Sequence, residues 1–283
     1  MDELLRMEHI SYQYDNSYMA LNNVSATFYA GELVAILGSN GAGKSTFFLC
    51  CNGVLRPQSG RIFYNGREIS SKKNDIYALR QAVGLVFQDP DSQIIAGTVQ
   101  SEVSFGPMNL RLPQGEVSRR VEKSLAQMDI IKHQDRAPHH LSGGEKKRVS
   151  IADILAMEPA IILLDEPTAS LDPQNMDALE QILIELNRAG ITIIISTHDV
   201  DFAYRIAKRI IVFAQGAIVA DAKVDEAFTQ ESMLEKAGLK KPLIYEAFEL
   251  VQITFPSLNN LQNNQKPRTI EEFHALLSKF HEF

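Results

Sequence analysis

The sequence predicts an α/β fold: a mostly parallel sheet flanked by helices, with an N-terminal antiparallel β subdomain, a helical insertion and a small C-terminal extension. Two observations carry it. Four near-continuous apolar runs, "ELVAILGSN" from Glu32, "AVGLVFQD" from Ala82, "AIILLDEP" from Ala160 and "ITIIISTHD" from Ile191, are separated by helix-length segments, the pattern of parallel strands covered on both faces. Each run also stops at residues suited to phosphate chemistry: the glycine loop from Gly38, then Gln88, then Asp165 with Glu166, then His198. Ligands of open parallel sheets bind at the carboxyl ends of strands, so the four ends predict one site.

In chain order, "HISYQYDNSYMALNNVSATFYA" alternates as antiparallel strands with a turn near Asp15 and Asn16. The stretch from about Gly97 to His140, with "GEVSRRVEKSLAQMDI" at helical period, is an insertion that leads into "HHLSGGEKKRV". There Ser142 and Glu145 have the spacing of a capping box, yet Gly143 and Gly144 occupy the first turn, where each costs about 0.5 to 1 kcal/mol against alanine. The cost is explained if something must approach that helix start closely, and bare N–H groups there attract an anion. Past Asp221, "DEAFTQESMLEKAGL" reads as short helices stopped by Gly238. Pro256 to Pro267 reads as a polar connector, and "TIEEFHALLSKF" as a helix boxed by Thr269 and Glu272 with Phe273, Leu276, Leu277 and Phe280 on one face. That face packs on its own chain or on another subunit. The units are therefore residues 1–221, with a helical subdomain at about 97–155 inside them, and an extension at 222–283 that offers a possible dimer contact.

Composition narrows the function. With 283 residues, 45% hydrophobic and 22% charged, the chain can bury a substantial core. A net charge of -7 argues against a broad nucleic-acid surface. Cys50 and Cys51, the only cysteines, suggest no disulfide framework and fit a reducing compartment. "MDELLRMEHI" carries acids where a signal peptide would be basic, and no apolar run approaches the roughly 20 residues of a membrane helix. Any membrane role must come through a partner.

"GSNGAGKST" matches the phosphate-binding G-x-x-x-x-G-K-[ST] pattern from Gly38 to Ser45, between a strand and the apolar start of a helix. Gly38, Ser39, Asn40, Gly41, Ala42, Gly43 and Thr46 would wrap backbone N–H groups round the phosphates of ATP, Lys44 would neutralise them, and the Ser45 hydroxyl would hold Mg²⁺. This makes the core a P-loop NTPase. Asp165 suits Mg²⁺, directly or through water, and Glu166 suits the base that orients attacking water. Gln88 could position water or Mg²⁺, and His198 could hydrogen-bond the γ-phosphate. Pro167 and Ser170 to Asp172 form a tight segment, Tyr14 either stacks on a base or belongs to the core or a rim, and His139 with His140 are rejected as metal ligands because vicinal side chains should point apart.

"LSGGEKKRV" about twenty residues ahead of "IILLDEPTASLDP", with "STHD" beyond and the glycine loop and Gln88 before, resembles the ATP-binding-cassette (ABC) ATPases over roughly Met7 to Asp221. The resemblance implies that two cassettes sandwich two ATP molecules head to tail, so that Ser142, Gly143 and Gly144 touch the ATP held by a partner. It further implies that Tyr14 stacks on adenine, Gln88 links nucleotide to a membrane partner, Asp172 makes a cross-dimer contact and His198 senses the γ-phosphate. Glu145 departs from the family's usual Gln. A narrower resemblance, carried by "VFQDPDSQIIAGTVQSEVSFGPMNL" and by the region after Asp221, is to the ATPases of energy-coupling-factor importers, especially their cobalt branch. It implies a peripheral subunit on the cytoplasmic face of the cell membrane. There it would pair with a second copy or a paralogue, beneath an integral membrane coupling subunit and a substrate-binding membrane subunit, to power uptake of cobalt, another metal ion or a vitamin. A soluble ABC-type ATPase of DNA repair or translation is the alternative reading.

Overall fold

The computed structural model describes residues 2–15, 18–255 and 266–280. The chain begins with β1 (Glu3–Tyr14), β2 (Tyr18–Tyr29) and β3 (Leu33–Leu37), followed by α1 (Lys44–Cys51). Next come β4 (Ser59–Tyr64), β5 (Arg67–Glu68), α2 (Lys73–Ala82) and β6 (Val83–Val86). The insert supplies α3 (Val99–Asn109), α4 (Gln114–Gln127) and α5 (Gly143–Ala156), after which β7 (Ile161–Asp165), α6 (Pro173–Arg188), β8 (Thr192–Thr197), α7 (Val200–Ile206), β9 (Arg209–Ala214) and β10 (Ala217–Lys223) complete the core. Four helices follow: α8 (Val224–Ala227), α9 (Glu231–Ala237), α10 (Leu243–Thr254) and α11 (Ile270–Phe280).

One sheet runs β10-β9-β3-β8-β7-β6, parallel except for β10. A second, antiparallel sheet runs β2-β1-β4-β5. The unbroken apolar runs now have a reason, because period-two alternation feeds two cores. Val34 and Ile36 of β3, Ile194 of β8 and Leu163 of β7 join Phe28 of β2 and Phe47 of α1 in a core shared by the two sheets. Leu33, Ala35, Ile193, Ile195 and Leu164 face the other way, toward Val149 of α5, Leu183 of α6 and Phe202 of α7. A strand with no solvent face has no polar positions to spend.

Several elements went unread in the sequence. β4 and β5 enlarge the antiparallel sheet, and their turn at Asn65 and Gly66, with φ of 49° and 71°, is a hairpin dipeptide that was available to find. α10 was missed because its apolar face is mixed with exposed apolar residues, which blurs the period. Asn16 of the expected first turn, residues 256–265 of the expected connector and the side chain of Phe280 lie outside the described residues. Gly238 ends α9 in the left-handed conformation, as expected. At α11 the box is looser than expected: Thr269 Oγ1 accepts the Glu272 N–H, but the Glu272 carboxylate takes the N–H of Arg268 rather than that of Thr269. Phe273 packs edge-on against Phe248 of α10 at 6.0 Å, so that part of the face is covered by its own chain.

The insert is bound to the sheet's end by buried polar contacts. Glu102 of α3 is buried and accepts the N–H groups of Ile95 and Ala96 at 2.9 and 2.7 Å. Gln93 donates to Ser150 O and to Asp153 of α5. Burial pushes the Asp153 carboxyl up to about 7. Protonation of Asp153 is thus favoured in the folded state, and the stability it contributes is present below the ordinary carboxylate range and lost as pH rises through about 7. Asp153→Asn should flatten that fall, gaining urea midpoint over the parent at pH 8 and little at pH 4.

Candidate active site

Three strand ends and one helix start meet at one place. Gly43 caps α1 with φ 106° and no side-chain cap, leaving the first N–H groups of the helix bare. A Cβ there would lie 2.5 Å from Ala20 O, so the close approach of β2 as well as the backbone twist demands glycine. Lys44 is 6% exposed and its ammonium donates to Gly38 O at 2.7 Å and Ser39 O at 3.4 Å, folded back over its own loop. Its third neighbour is Glu166 Oε1 at 3.3 Å.

The acids come from the end of β7. Asp165 pairs in register with Ser196 of β8 and accepts a short hydrogen bond from its hydroxyl. Glu166 adopts φ 43°, a conformation that costs a non-glycine residue on the order of 1 kcal/mol, and its N–H donates to Ser196 O. That twist turns the carboxylate back across the strand ends: Oε2 lies 3.0 Å from His198 Nδ1 while Oε1 faces Lys44. His198 is more than half exposed, open to a ligand above it. Lys44, Glu166 and His198 therefore form one chain of contacts. The arrangement can hold a polyphosphate and activate a water beside it.

Tyr14 ends β1 with its hydroxyl 3.3 Å from Thr46 Oγ1 and its ring edge-on to Tyr12, at the rim of the loop rather than in the core. Tyr18, which sequence reasoning passed over, donates to Gly41 O at 2.8 Å and lines a depression of ≈ 270 Å³ with Ser39, Asn40, Gly41 and Ala42. The alternating pattern of β2 could have flagged it, since Tyr18 pairs in register with Tyr14.

The second cluster is a cleft of ≈ 350 Å³ whose lining includes Gln88, Asp91, Gly143, Lys147, Ser170 and Leu171, with no residue of the glycine loop. Ser142 and Glu145 complete the expected capping box in both directions, at 3.3 and 2.8 Å. The two glycines differ in their reasons. A Cβ at Gly143 meets no atom within 4 Å, whereas one at Gly144 would lie 2.5 Å from Asn175 Cγ. Open access therefore explains Gly143 alone; Gly144 is small because the start of α6 packs against it. Asp172 caps that same helix, accepting the Asn175 N–H at 2.8 Å and the Asn175 amide at 2.7 Å, and these bonds hold its carboxyl below the usual range. His139 and His140 do not point apart as expected; as neighbours within a single 3₁₀ turn, Pro138–His140, their rings meet edge-on at 4.1 Å.

Residues 21–169 match the family described as ABC transporter. An energy-coupling factor transporter ATP-binding protein of Methanothermobacter thermautotrophicus is 45% identical across 84% of this chain and 77% of its own length. The chain belongs to the ABC transporter ATPase family. Like other ABC ATPases it binds and hydrolyses ATP. The solved structure of cbiO1 from Clostridium perfringens, described as part of the ABC transporter complex cbiONQ, is 37% identical with a TM-score of 0.77 over 92% of this chain and 99% of that one. A dimeric ATP-binding cassette solved after hydrolysis with ADP and phosphate bound is 28% identical with a TM-score of 0.70, covering 78% and 99%.

One residue of this ABC ATPase was invisible to motif reading. Lys147 of α5 is 1% exposed, and its ammonium donates to Phe87 O at 3.0 Å and, by a short bond, to Gln88 O. Desolvation lowers its pKa to about 8, with Asp165 and Asp89 opposing the fall. A lysine inside "GEKKR" looks like solvated charge until the fold shows that it points inward. It ties the Gln88 segment to the helix that begins at Gly143.

Proposed function

We propose that the chain is the ATPase subunit of an energy-coupling-factor importer and works as one of two cassettes closed head to tail on ATP. The observation that carries this reading is the start of α5: a capped helix end, open at Gly143, whose cleft is lined by no residue of its own glycine loop and which would therefore serve a phosphate held by another chain. A second copy or a paralogue would present the missing triphosphate. Asp172 would meet that partner, and Tyr14 would stack on the adenine of its own ATP. The dimeric solved relative is consistent with such an assembly.

The residues at hand suit the chemistry. Lys44 and the bare start of α1 would bind the phosphates; Ser45, Gln88 and Asp165 would hold Mg²⁺, which neutralises phosphate charge when bound. The Asp165 carboxylate, oriented by Ser196, suits a hard cation that keeps waters and substrate oxygens as its other ligands. Glu166 would orient the attacking water and accept its proton, and His198 would donate to the γ-phosphate while held at Glu166. ATP would also displace Lys44 from the Gly38 and Ser39 carbonyls, trading them for phosphate oxygens.

The membrane-facing partner would sit on the insert. Tyr77 of α2 and Phe105 and Met108 of α3 are exposed apolar side chains, joined by the Tyr77 hydroxyl donating to Asn109 O; exposed Ile95 is anchored to the same helix through Glu102. Such a patch marks an interaction surface. Ile95 follows Gln88 by seven residues, and the Gln88 segment would pass dimer closure to an integral membrane coupling subunit carrying a substrate-binding membrane subunit. No helix among the described residues is long and apolar enough to cross a membrane. The chain would act peripherally, on the cytoplasmic face, as the resemblance to importer ATPases implies. The cargo would be cobalt, another metal ion or a vitamin, the class that the resemblance of the Val86 to Leu110 segment implies.

Two outcomes test this reading. Gly143→Trp, whose Cβ meets no atom within 4 Å, should abolish ATP-driven dimerisation by light scattering while ATP affinity stays within about twofold, and dimers at parental levels would refute the head-to-tail site. Phe105→Asp should cut co-purification with membrane proteins by about tenfold or more with ATP binding retained. Undiminished recovery would remove the insert from the interface.

A further inference from the structure

The helices after β10 hold none of the site residues, yet they grip one element of the active site. α7 is seven residues long and starts at Val200, two residues after His198. A helix this short has little stability of its own, so its position is set by what packs on it. The extension holds it at both ends. Near its start, Asp201 Oδ1 accepts the Leu243 N–H from the beginning of α10 at 2.7 Å. At its end, the guanidinium of Arg268, just before α11, donates to Ala207 O at 2.9 Å, the carbonyl of the C-cap residue. Between them the wholly buried ring of Tyr204 meets Phe228 and Tyr245 edge-on at 5.7 and 5.8 Å, and Lys266 stacks on Tyr245 at 3.6 Å. The same extension comes near the glycine loop, since a Cβ added to Gly238, at the end of α9, would lie 3.6 Å from Ser39 Cβ.

We propose that the C-terminal extension positions His198 for hydrolysis by clamping α7, with Arg268 and Asp201 as its positioning residues. His198 itself is mostly exposed, and among the described residues Glu166 is the one hydrogen-bond partner of its ring, at 3.0 Å. Its reach toward a γ-phosphate therefore depends on where α7 begins. Loosening either end would displace the imidazole by a fraction of an ångström, and misplacement on that scale lowers turnover without altering phosphate binding at α1. The extension thus becomes a place where an event far from the nucleotide can set the rate of hydrolysis.

The inference rests on the assignment of His198 to the γ-phosphate, and the experiment separates the two. In the full-length chain, Arg268→Gln and Asp201→Ala should each lower kcat about three- to tenfold with the Kd for ATP within about twofold, and Arg268→Lys, which keeps a donor for Ala207 O, should recover most of the loss. In a His198→Ala background, Arg268→Gln should produce no further fall, because the group it positions is gone. Parental kcat in both single variants, or the same further fold-loss in the His198→Ala background, would overturn the clamp. Full turnover by His198→Ala alone would instead overturn the assignment of His198. Should Arg268→Gln fail to fold, Asp201→Ala at the opposite end of α7 carries the test.

Discussion

Glu166→Gln slows ATP hydrolysis by about 10² to 10⁴ while ATP remains bound. The size follows from the environment of the carboxylate. Glu166 is buried, turned by a positive φ toward the strand ends, and flanked by Lys44 on one oxygen and His198 on the other. An amide of the same shape keeps those contacts in part but cannot take a proton from water, so binding survives and the chemical step does not. The variant should accumulate as an ATP-bound dimer on size-exclusion chromatography. Parental turnover would remove Glu166 as the base and shift attention to Asp165, whose carboxylate is already engaged by Ser196.

Lys44→Ala weakens ATP binding by about 10- to 100-fold, since a charge-assisted hydrogen bond contributes about 1.5 to 3 kcal/mol. The loss has a second component in this chain. Lys44 neighbours Glu166 at 3.3 Å with both side chains almost wholly buried, so alanine also leaves that carboxylate without its nearest cation. Calorimetric titration of ATP in the absence of turnover measures the first effect, and thermal unfolding without nucleotide measures the second. Unaltered affinity would contradict the glycine loop as the phosphate site.

Much of this was legible in the residues because two kinds of signal survive without coordinates. Strands buried on both faces announce themselves as apolar runs, and β3, β6, β7 and β8 stand where those runs lie. Backbone-dominated sites leave glycines and caps at fixed spacing, which is why Gly38 to Ser45 and Ser142 to Glu145 read correctly as loop and capping box. What stayed hidden depends on long-range packing. Lys147 acts through the direction in which its side chain leaves α5, and charge does not encode that direction locally. Gly144 shows the converse failure: a glycine in a ligand-facing motif is small for Asn175, thirty-one positions later in the sequence, and only the fold separates its reason from that of Gly143. The grip of Arg268 on Ala207 belongs to the same class, joining segments that no motif connects.

The most direct measurement is a crystal structure of the Glu166→Gln protein with ATP and Mg²⁺, alone or with its natural partner ATPase. The account predicts two triphosphates, each held by Lys44 and the Gly38 to Ser45 loop of one cassette, with Ser142 and Gly143 of the opposite cassette within hydrogen-bonding distance of the γ-phosphate. A closed, ATP-loaded assembly in which those helix starts face solvent, or meet each other rather than the nucleotide, would contradict it.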